Sequence, residues 1–286
     1  MKHFLMITNT HKDEGARLTD ALAAYIREKG GTCRCFFSSG ESLMEAAPDP
    51  EEISKETDCV LVLGGDGTLI RAAAKLVGSK IPLIGVNLGT LGYLCELEEN
   101  SAFAAIDQLM AGNYMIEERM MLAGCSGKEN REQISGIALN DIVFHRAGPM
   151  SVVSLIVYVN GEYLHTFRAD GMILSTPTGS TGYNISAGGP IVDPKAQMIL
   201  ITPINAHNLS SRSIVVGAED EIVIEIARRR AQGDEAVEVS FDGDHTTRLF
   251  VGERFVVQRA MATTRICKLS NQSFLELLSK KMQTYT

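Results

Sequence analysis

The residues that invite a chemical reading lie in three short segments. Gly64-Gly65-Asp66-Gly67-Thr68 follows directly on the apolar run Val60-Leu61-Val62-Leu63 and precedes a helical stretch from Leu69 to Val77. Glycines at such a junction let the backbone approach a ligand and adopt positive φ. The N–H groups that open a helix favour an anion there. The loop has no lysine of the Walker kind and lacks GxGxxG spacing, so it is neither of those two phosphate motifs. Its peculiarity is Asp66, a carboxylate that repels phosphates unless a proton or a metal intervenes. The same aspartate also suits a turn or an N-cap. The second segment runs from Asp170 through Ser175-Thr176-Pro177-Thr178-Gly179-Ser180-Thr181-Gly182-Tyr183-Asn184-Ile185-Ser186 to Gly188-Gly189. Small hydroxyls and bare amides can follow a polar ligand closely, and Tyr183 offers a ring for a base to stack on; the plain alternative is a Gly/Ser surface loop. The third is Asn140-Asp141 inside a β-type run. Neighbours on a strand face opposite ways, so the pair marks a strand end or bulge. An amide beside a carboxylate suits two adjacent sugar hydroxyls, and a polar break at a strand edge is the bland reading.

These segments need a scaffold, and the chain changes rhythm along its length. Up to about residue 120, strand candidates (Phe4–Thr8, Thr32–Phe37, Val60–Leu63, Pro82–Val86) alternate with helical stretches (Asp13–Lys29, Leu69–Val77, Ser101–Met110). Continuous apolar strands separated by helices predict a parallel sheet covered on both faces. From there to about residue 268 the candidates are all short strands: Gly136–Phe144, Val152–Val159, Met172–Ser175, Met198–Thr202, Ile222–Ile226, Val237–Phe241, Arg254–Arg259 and Thr264–Leu269. Asn160-Gly161 and Asp242-Gly243 read as hairpin turns. The fold class expected is thus an N-terminal α/β parallel-sheet domain (1–120) and a C-terminal β-sandwich-like domain (121–268). A helical tail (269–286, with Ser273–Met282 helical) packs back on the first.

Composition narrows the function classes. With 45% hydrophobic and 22% charged residues, the 286-residue chain has the balance of a soluble globular protein. A formal charge of −8 argues against a nucleic-acid partner. The one basic run, Arg228-Arg229-Arg230, reads as a solvated strand end. The six cysteines form no CxxC pair and no zinc spacing. No run is long enough to span a bilayer, and the N-terminus has no signal-peptide pattern; the expected setting is the cytoplasm with reduced thiols, without a membrane partner.

Together the segments resemble the NAD kinases over nearly the whole chain. The match comprises GGDGT at 64–68, the Asn-acidic pair at 140–141, DGMILSTPTGSTGYNISAGGPI at 170–191, TPINAHNLSSRSIVV at 202–216 and FDGD at 241–244. GGDGT alone is shared with diacylglycerol-type lipid kinases and, more loosely, phosphofructokinases; STPTGST with the Asn-acidic pair is particular to NAD kinases. The resemblance implies transfer of a phosphoryl group from ATP or polyphosphate to the 2′-hydroxyl of the adenosine ribose of NAD. Asp66 would be the proton acceptor. Gly65, Gly67, Thr68 and Arg71 would lie along the phosphates, and Asn140 and Asp141 on the adenosine portion. Arg168, Asp170, Ser180, Thr181, Gly182, Tyr183, Asn184 and Ser186 would line the NAD pocket, with Asp244 at a position often occupied by Gln. Divalent metal, Mg2+, would arrive with the phosphoryl donor, with no metal ligands of the protein's own. A homodimer or homotetramer is implied. Gly182, Asp141 and Asn205-Ala206 depart from the common family residues, the last pair leaving the pocket wall there undefined. Replacing Asp66 with Asn should leave folding and NAD affinity nearly intact while cutting turnover. A lipid kinase would need an apolar cleft, whereas the stretch after Asp170 is polar. A dinucleotide sensor without turnover would have no use for a base at Asp66.

Overall fold

The computed structural model describes residues 1–39, 47–89, 92–126, 135–148, 152–207, 212–228, 236–270 and 272–284. The chain divides into two compact units, residues 1–119 with 263–286, and residues 120–262.

In the first unit, strands β1 (His3–Asn9), β2 (Thr32–Ser38), β3 (Cys59–Gly64), β4 (Leu83–Asn87) and β5 (Leu97–Glu98) alternate with helices α1 (Arg17–Glu28), α2 (Asp66–Lys75) and α3 (Ala102–Ala111). All pairings are parallel, in the order β2-β1-β3-β4-β5. The strands are apolar on both faces because both faces are covered. Phe4, Met6, Leu61, Leu63, Ile84 and Val86 share a core with Leu22 and Ile26 of α1 and Ile106 and Leu109 of α3. On the opposite face Leu69 of α2 lies so close to Gly85 that a Cβ there would stand 2.8 Å from its methyl.

Helix α1 starts later than its apolar spacing predicts. Gly15 and Ala16 take left-handed φ of 67° and 56°, and the Asp13 carboxylate accepts the N–H groups of Leu18 and Thr19 at 3.1 and 2.9 Å. A short 3-10 turn over Glu14–Ala16 thus stands where helix was expected. Helix α2 starts earlier than expected, at Asp66 itself.

The second unit is built of antiparallel strands, from β6 (Met115–Ser126, which begins in the first unit), β7 (Ser135–Ala138), β8 (Asp141–Ala147), β9 (Val153–Val159), β10 (Glu162–Ala169) and β11 (Gly171–Ser175) to β12 (Met198–Ile204), β13 (Ile214–Gly217), β14 (Ile222–Ile226), β15 (Ala236–Phe241), β16 (Asp244–Phe250) and β17 (Arg254–Lys268). One sheet runs β13-β12-β11-β8-β15-β16, and the other carries β10-β9-β14-β17. Their inner faces make one core, in which Phe144 and Phe255 meet edge to face at 5.5 Å. This is a sandwich, in which alternate residues of each strand face inward. Asn160-Gly161 and Asp242-Gly243 take positive φ at both positions, as a two-residue hairpin turn requires.

Three expectations change here. Gly136–Phe144 is two strands, broken at Leu139-Asn140. The two candidates at 254–259 and 264–269 are one continuous strand, β17, whose far end pairs with β4 through Ile266 and Leu83. Strands β6, β10 and β16 escaped the reading because polar residues interrupt their alternation. Of the basic run, Arg229 and Arg230 lie outside the described residues, as do positions 208–211 of the 202–216 segment. The last helix, α5, spans Phe274–Thr284. No described helix is long and apolar enough to cross a membrane.

Candidate functional site

In the first unit, the strand order 2-1-3-4 reverses between β1 and β3. An open parallel sheet binds ligands at the carboxyl ends of its strands beside such a reversal. Those ends carry Thr10–Asp13, Gly65–Gly67 and the segment after Asn87. The glycines of the 64–68 loop do not take the positive φ expected of them; they are needed for space. A Cβ on Gly64 would fall 2.4 Å from Thr68 Oγ1, and one on Gly65 would fall 2.7 Å from Lys12 Nζ. Thr68 is buried, with its hydroxyl toward Asn9 Nδ2 at 3.5 Å. Arg71 bends back so that its Nη1 lies 3.7 Å from where a Gly67 Cβ would be. The first N–H groups of α2 have no acceptor within the helix.

Asp66 is held from across the loop. Its Oδ2 accepts the Tyr93 N–H at 2.6 Å, and its Oδ1 accepts those of Leu94 and Cys95 at 3.1 and 3.0 Å. Gly92 makes this approach possible, since a Cβ there would overlap the carboxylate at 1.9 Å. Burial, then the neighbouring Asp66 charge, pushes the Cys95 thiol well above its ordinary value. An amide at position 66 would present N–H to N–H, so the expected indifference of folding to Asp66→Asn is revised: the aspartate also fastens 92–95. In the same unit Asn87, Gly89, Glu98 and Phe103 border a concavity of about 570 Å3.

In the second unit, Asn140 occupies the bend between β7 and β8, and Asp141 begins β8. A carboxylate that the sequence offered only as a turn former makes that bend. Asp242, in the β15–β16 turn, accepts the N–H groups of Leu139, Asn140 and Asp141 at 2.7, 2.7 and 3.0 Å. Asp141 is buried and opposite Ser175. Burial first, then the charge of Asp242, pushes Asp141 up to about 7. Burial likewise lifts Asp242 to about 6, against the pull of its three amide partners, with Asp244 adding to the lift.

The hydroxyl-rich segment folds as a 3-10 turn (Thr178–Thr181) and a single turn of α-helix, α4 (Tyr183–Ser186). Gly179 lies flat on Asn140, whose carbonyl oxygen would be 2.2 Å from an added Cβ. Thr176 donates its hydroxyl to the Leu139 carbonyl at 2.6 Å. Ser180 and Asn184 direct their polar atoms inward, to Val192, Pro190 and Thr202. Tyr183 and Ser186 are exposed, and Thr181 and Gly182 are half-buried. Asn140 Oδ1 and Thr178 Oγ1 are buried without a partner among the described residues.

Asp170 sits at the other end of the β8–β11 pair, five residues or about 17 Å from the Asp141 end. It accepts Arg146 at 2.9 Å and Asn205 Nδ2 at 3.1 Å, so Asn205 belongs to the Asp170 cluster. Arg168 is exposed there, its carbonyl holding the His207 N–H. Asp244 faces Phe241 across the hairpin. The second unit thus brings Asn140, Asp141, Thr178 and Gly182 together at one end of a strand pair and Arg168 and Asp170 at the other.

Asn87, Gly92, Arg146 and Asp242 were missed. The Asn87-Leu88-Gly89 run after β4, a second polar and glycine-rich exit from a buried strand, was a usable sign. Asp242 was visible only as a turn former. Among the described residues no three His, Cys, Asp or Glu side chains group to hold a metal.

An α/β unit with a glycine loop at its strand reversal and a β-sandwich unit with an Asn-acidic bend together form the fold of known kinases of NAD or NADH. The yeast NADH kinase complexed with NADH superposes with a TM-score of 0.86 at 22% identity, covering 99% of this chain and 88% of that one. The NAD kinase of Archaeoglobus fulgidus in complex with ATP gives 0.78 at 22%, covering 99% of each chain. The family described as ATP-NAD kinase N-terminal domain matches residues 6–114, and the ATP-NAD kinase C-terminal domain matches residues 139–269. An NAD kinase of Agathobacter rectalis is 56% identical over the full length of both chains, and one of Lachnospira eligens is 40% identical over 99% of this chain and all of that one. The chain belongs to the NAD kinase family.

Proposed function

We propose that the chain forms NADP+ by moving the γ-phosphoryl group of ATP, carried with Mg2+, to the 2′-hydroxyl of the adenosine ribose of NAD. The observation that favours this most is the pair of buried oxygens, Asn140 Oδ1 and Thr178 Oγ1, that have no partner among the described residues, at the bend where the buried Asp141 begins β8. Buried polar atoms are almost always satisfied. Two orphans next to a carboxylate, at a bend that Asp242 holds rigid, suit the hydroxyl and amine donors of an adenosine. The Asp170 end of the same strand pair gives an elongated dinucleotide a second polar anchor.

In this reading the ribose oxygen attacks the γ-phosphorus as the bond to the ADP oxygen breaks. ADP leaves, and the hydroxyl proton passes to Asp66. A carboxylate offers about four lone-pair directions. Three are taken by the amides of Tyr93, Leu94 and Cys95, which leaves one to receive the proton. Those amides also fix where it points, and positioning supplies most of the catalysis in phosphoryl transfer. The exposed N–H groups of α2 and the Arg71 guanidinium face the donor phosphates. Mg2+ delivered with the nucleotide would offset the phosphate charge there. Incubation with NAD, ATP and Mg2+, read as NADP+, tests the reading. NAD binding without product would favour a sensor, and neither binding nor product would favour a lipid acceptor.

A further inference from the structure

The glycine loop lacks the lysine that a Walker loop carries within its own sequence, and the fold brings one from elsewhere. We propose that Lys12, on the β1–α1 turn, holds the phosphoryl oxygens of the donor over Gly65 and gives one of its N–H groups to Asn87 Oδ1 as it does so. The proposal rests on the kinase reading above and adds a residue to it. The turns after β1 and β3 are neighbours because β1 and β3 pair directly and the sheet reverses between them. Lys12 Nζ lies 2.7 Å from the position of a Gly65 Cβ and 3.9 Å from that of a Gly89 Cβ. The ammonium therefore stands on the bare backbone at the start of α2.

Its placement is not a matter of a loose side chain on a loose loop. The N–H groups of Lys12 and Asp13 both donate to the Asn9 carbonyl at 3.1 Å. Asn9 Oδ1 accepts the His11 N–H at 3.0 Å, and Asp13 grips the first turn of α1. None of the ion pairs among the described residues involves Lys12.

The independent observation is Asn87. It is 6% exposed, its Nδ2 donates to the Gly89 carbonyl at 2.8 Å, and its buried Oδ1 has no partner among the described residues. That oxygen lies 3.8 Å from the same Gly65 Cβ position that Lys12 approaches. As an acceptor it cannot take a phosphate directly. An ammonium has three donors: one satisfies Asn87 Oδ1 and two remain for phosphoryl oxygens. Lysine thus converts an orphaned acceptor at the loop into a site for an anion.

The test uses the full chain and two probes. Inorganic tripolyphosphate binding is measured by calorimetry, and steady-state kinetics are run with NAD and MgATP. Lys12→Met is expected to weaken tripolyphosphate and to lower kcat/KM for ATP by about ten- to hundredfold, with KM for NAD within about twofold. Lys12→Arg, which keeps the charge, should recover most of both. Tripolyphosphate affinity and kcat/KM for ATP that stay within about twofold in Lys12→Met overturn the proposal. Equal losses toward ATP and NAD that Lys12→Arg does not rescue also overturn it, since they mark a structural role. Absence of NADP+ from the unaltered chain would defeat the kinase reading instead, and the calorimetry would still decide the role of Lys12.

Discussion

Each unit contains a half-buried aspartate whose carboxylate gathers three consecutive backbone N–H groups, and the two differ in what stands beside them. In the first unit Asp66 takes the amides of 93–95, with the Lys12 ammonium reaching over the neighbouring Gly65 from the β1–α1 turn and no second carboxylate among its hydrogen-bond partners. In the second, Asp242 takes those of 139–141 with the buried Asp141 pressed against it. The same clasp therefore serves two ends. At Asp66 it aims a charged oxygen and leaves it one open direction. At Asp242 it shapes a bend where, in the proposed reading, the ligand meets the oxygens of the neighbours, Asn140 and Asp141. Acidic side chains of one type, held alike, are suited to chemistry in one case and to recognition in the other.

That contrast can be broken experimentally. Gly92→Ala should have the largest effect, because its Cβ would overlap the Asp66 carboxylate. Turnover is expected to fall about hundredfold with a lowered Tm, read by NADP+ formation and thermal unfolding. Asp242→Ala should act first on stability and affinity. Losing the common acceptor of three amides is expected to cost about 2–3 kcal/mol in denaturant unfolding, with KM for NAD rising more than kcat falls. If kcat alone falls, Asp242 belongs with the chemistry and the contrast is lost.

The smallest effect is a pH dependence. A carboxylate raised to about 7 on folding keeps a proton that the unfolded chain releases. Unfolding then releases protons, and this contribution to stability falls as pH rises from about 4 to about 7. Asp242, raised to about 6, contributes in the same direction. Asp13 and Asp58, which their hydrogen bonds hold below the ordinary range although burial opposes this, act oppositely at acid pH. The difference between variants isolates the pair: Asp141→Asn should gain in Tm over the unaltered chain as pH rises through that window. A constant difference would show that the two carboxylates are not coupled to folding.

Much of this was legible in the residues. Val60–Leu63 and Pro82–Val86 read as buried parallel strands, and Asn160-Gly161 and Asp242-Gly243 as hairpin turns. The glycine loop and the 170–191 segment stood out because so much glycine and hydroxyl in one place has few structural uses. What was hidden depended on long-range contact. Asp242 acts on amides 101–103 positions earlier, and Lys12 reaches a loop in the next strand but one. Helix α2 began earlier than expected because nothing local distinguishes an aspartate before a helix from one inside its first turn. Ser180 and Asn184 were expected to line the pocket, yet they tie their own segment from within, since hydroxyl and amide groups suit either purpose.

The central claim is that Asp66 receives the ribose proton while its amide partners hold it in line. Comparing kcat and KM for NAD in the full chain and in Asp66→Asn, with ATP and Mg2+ saturating, addresses it most directly. The expected result is a fall in kcat of about 10²–10⁴-fold, with KM for NAD changed by no more than about threefold and some loss of Tm. An Asp66→Asn protein that turns over at close to the original rate would contradict the claim.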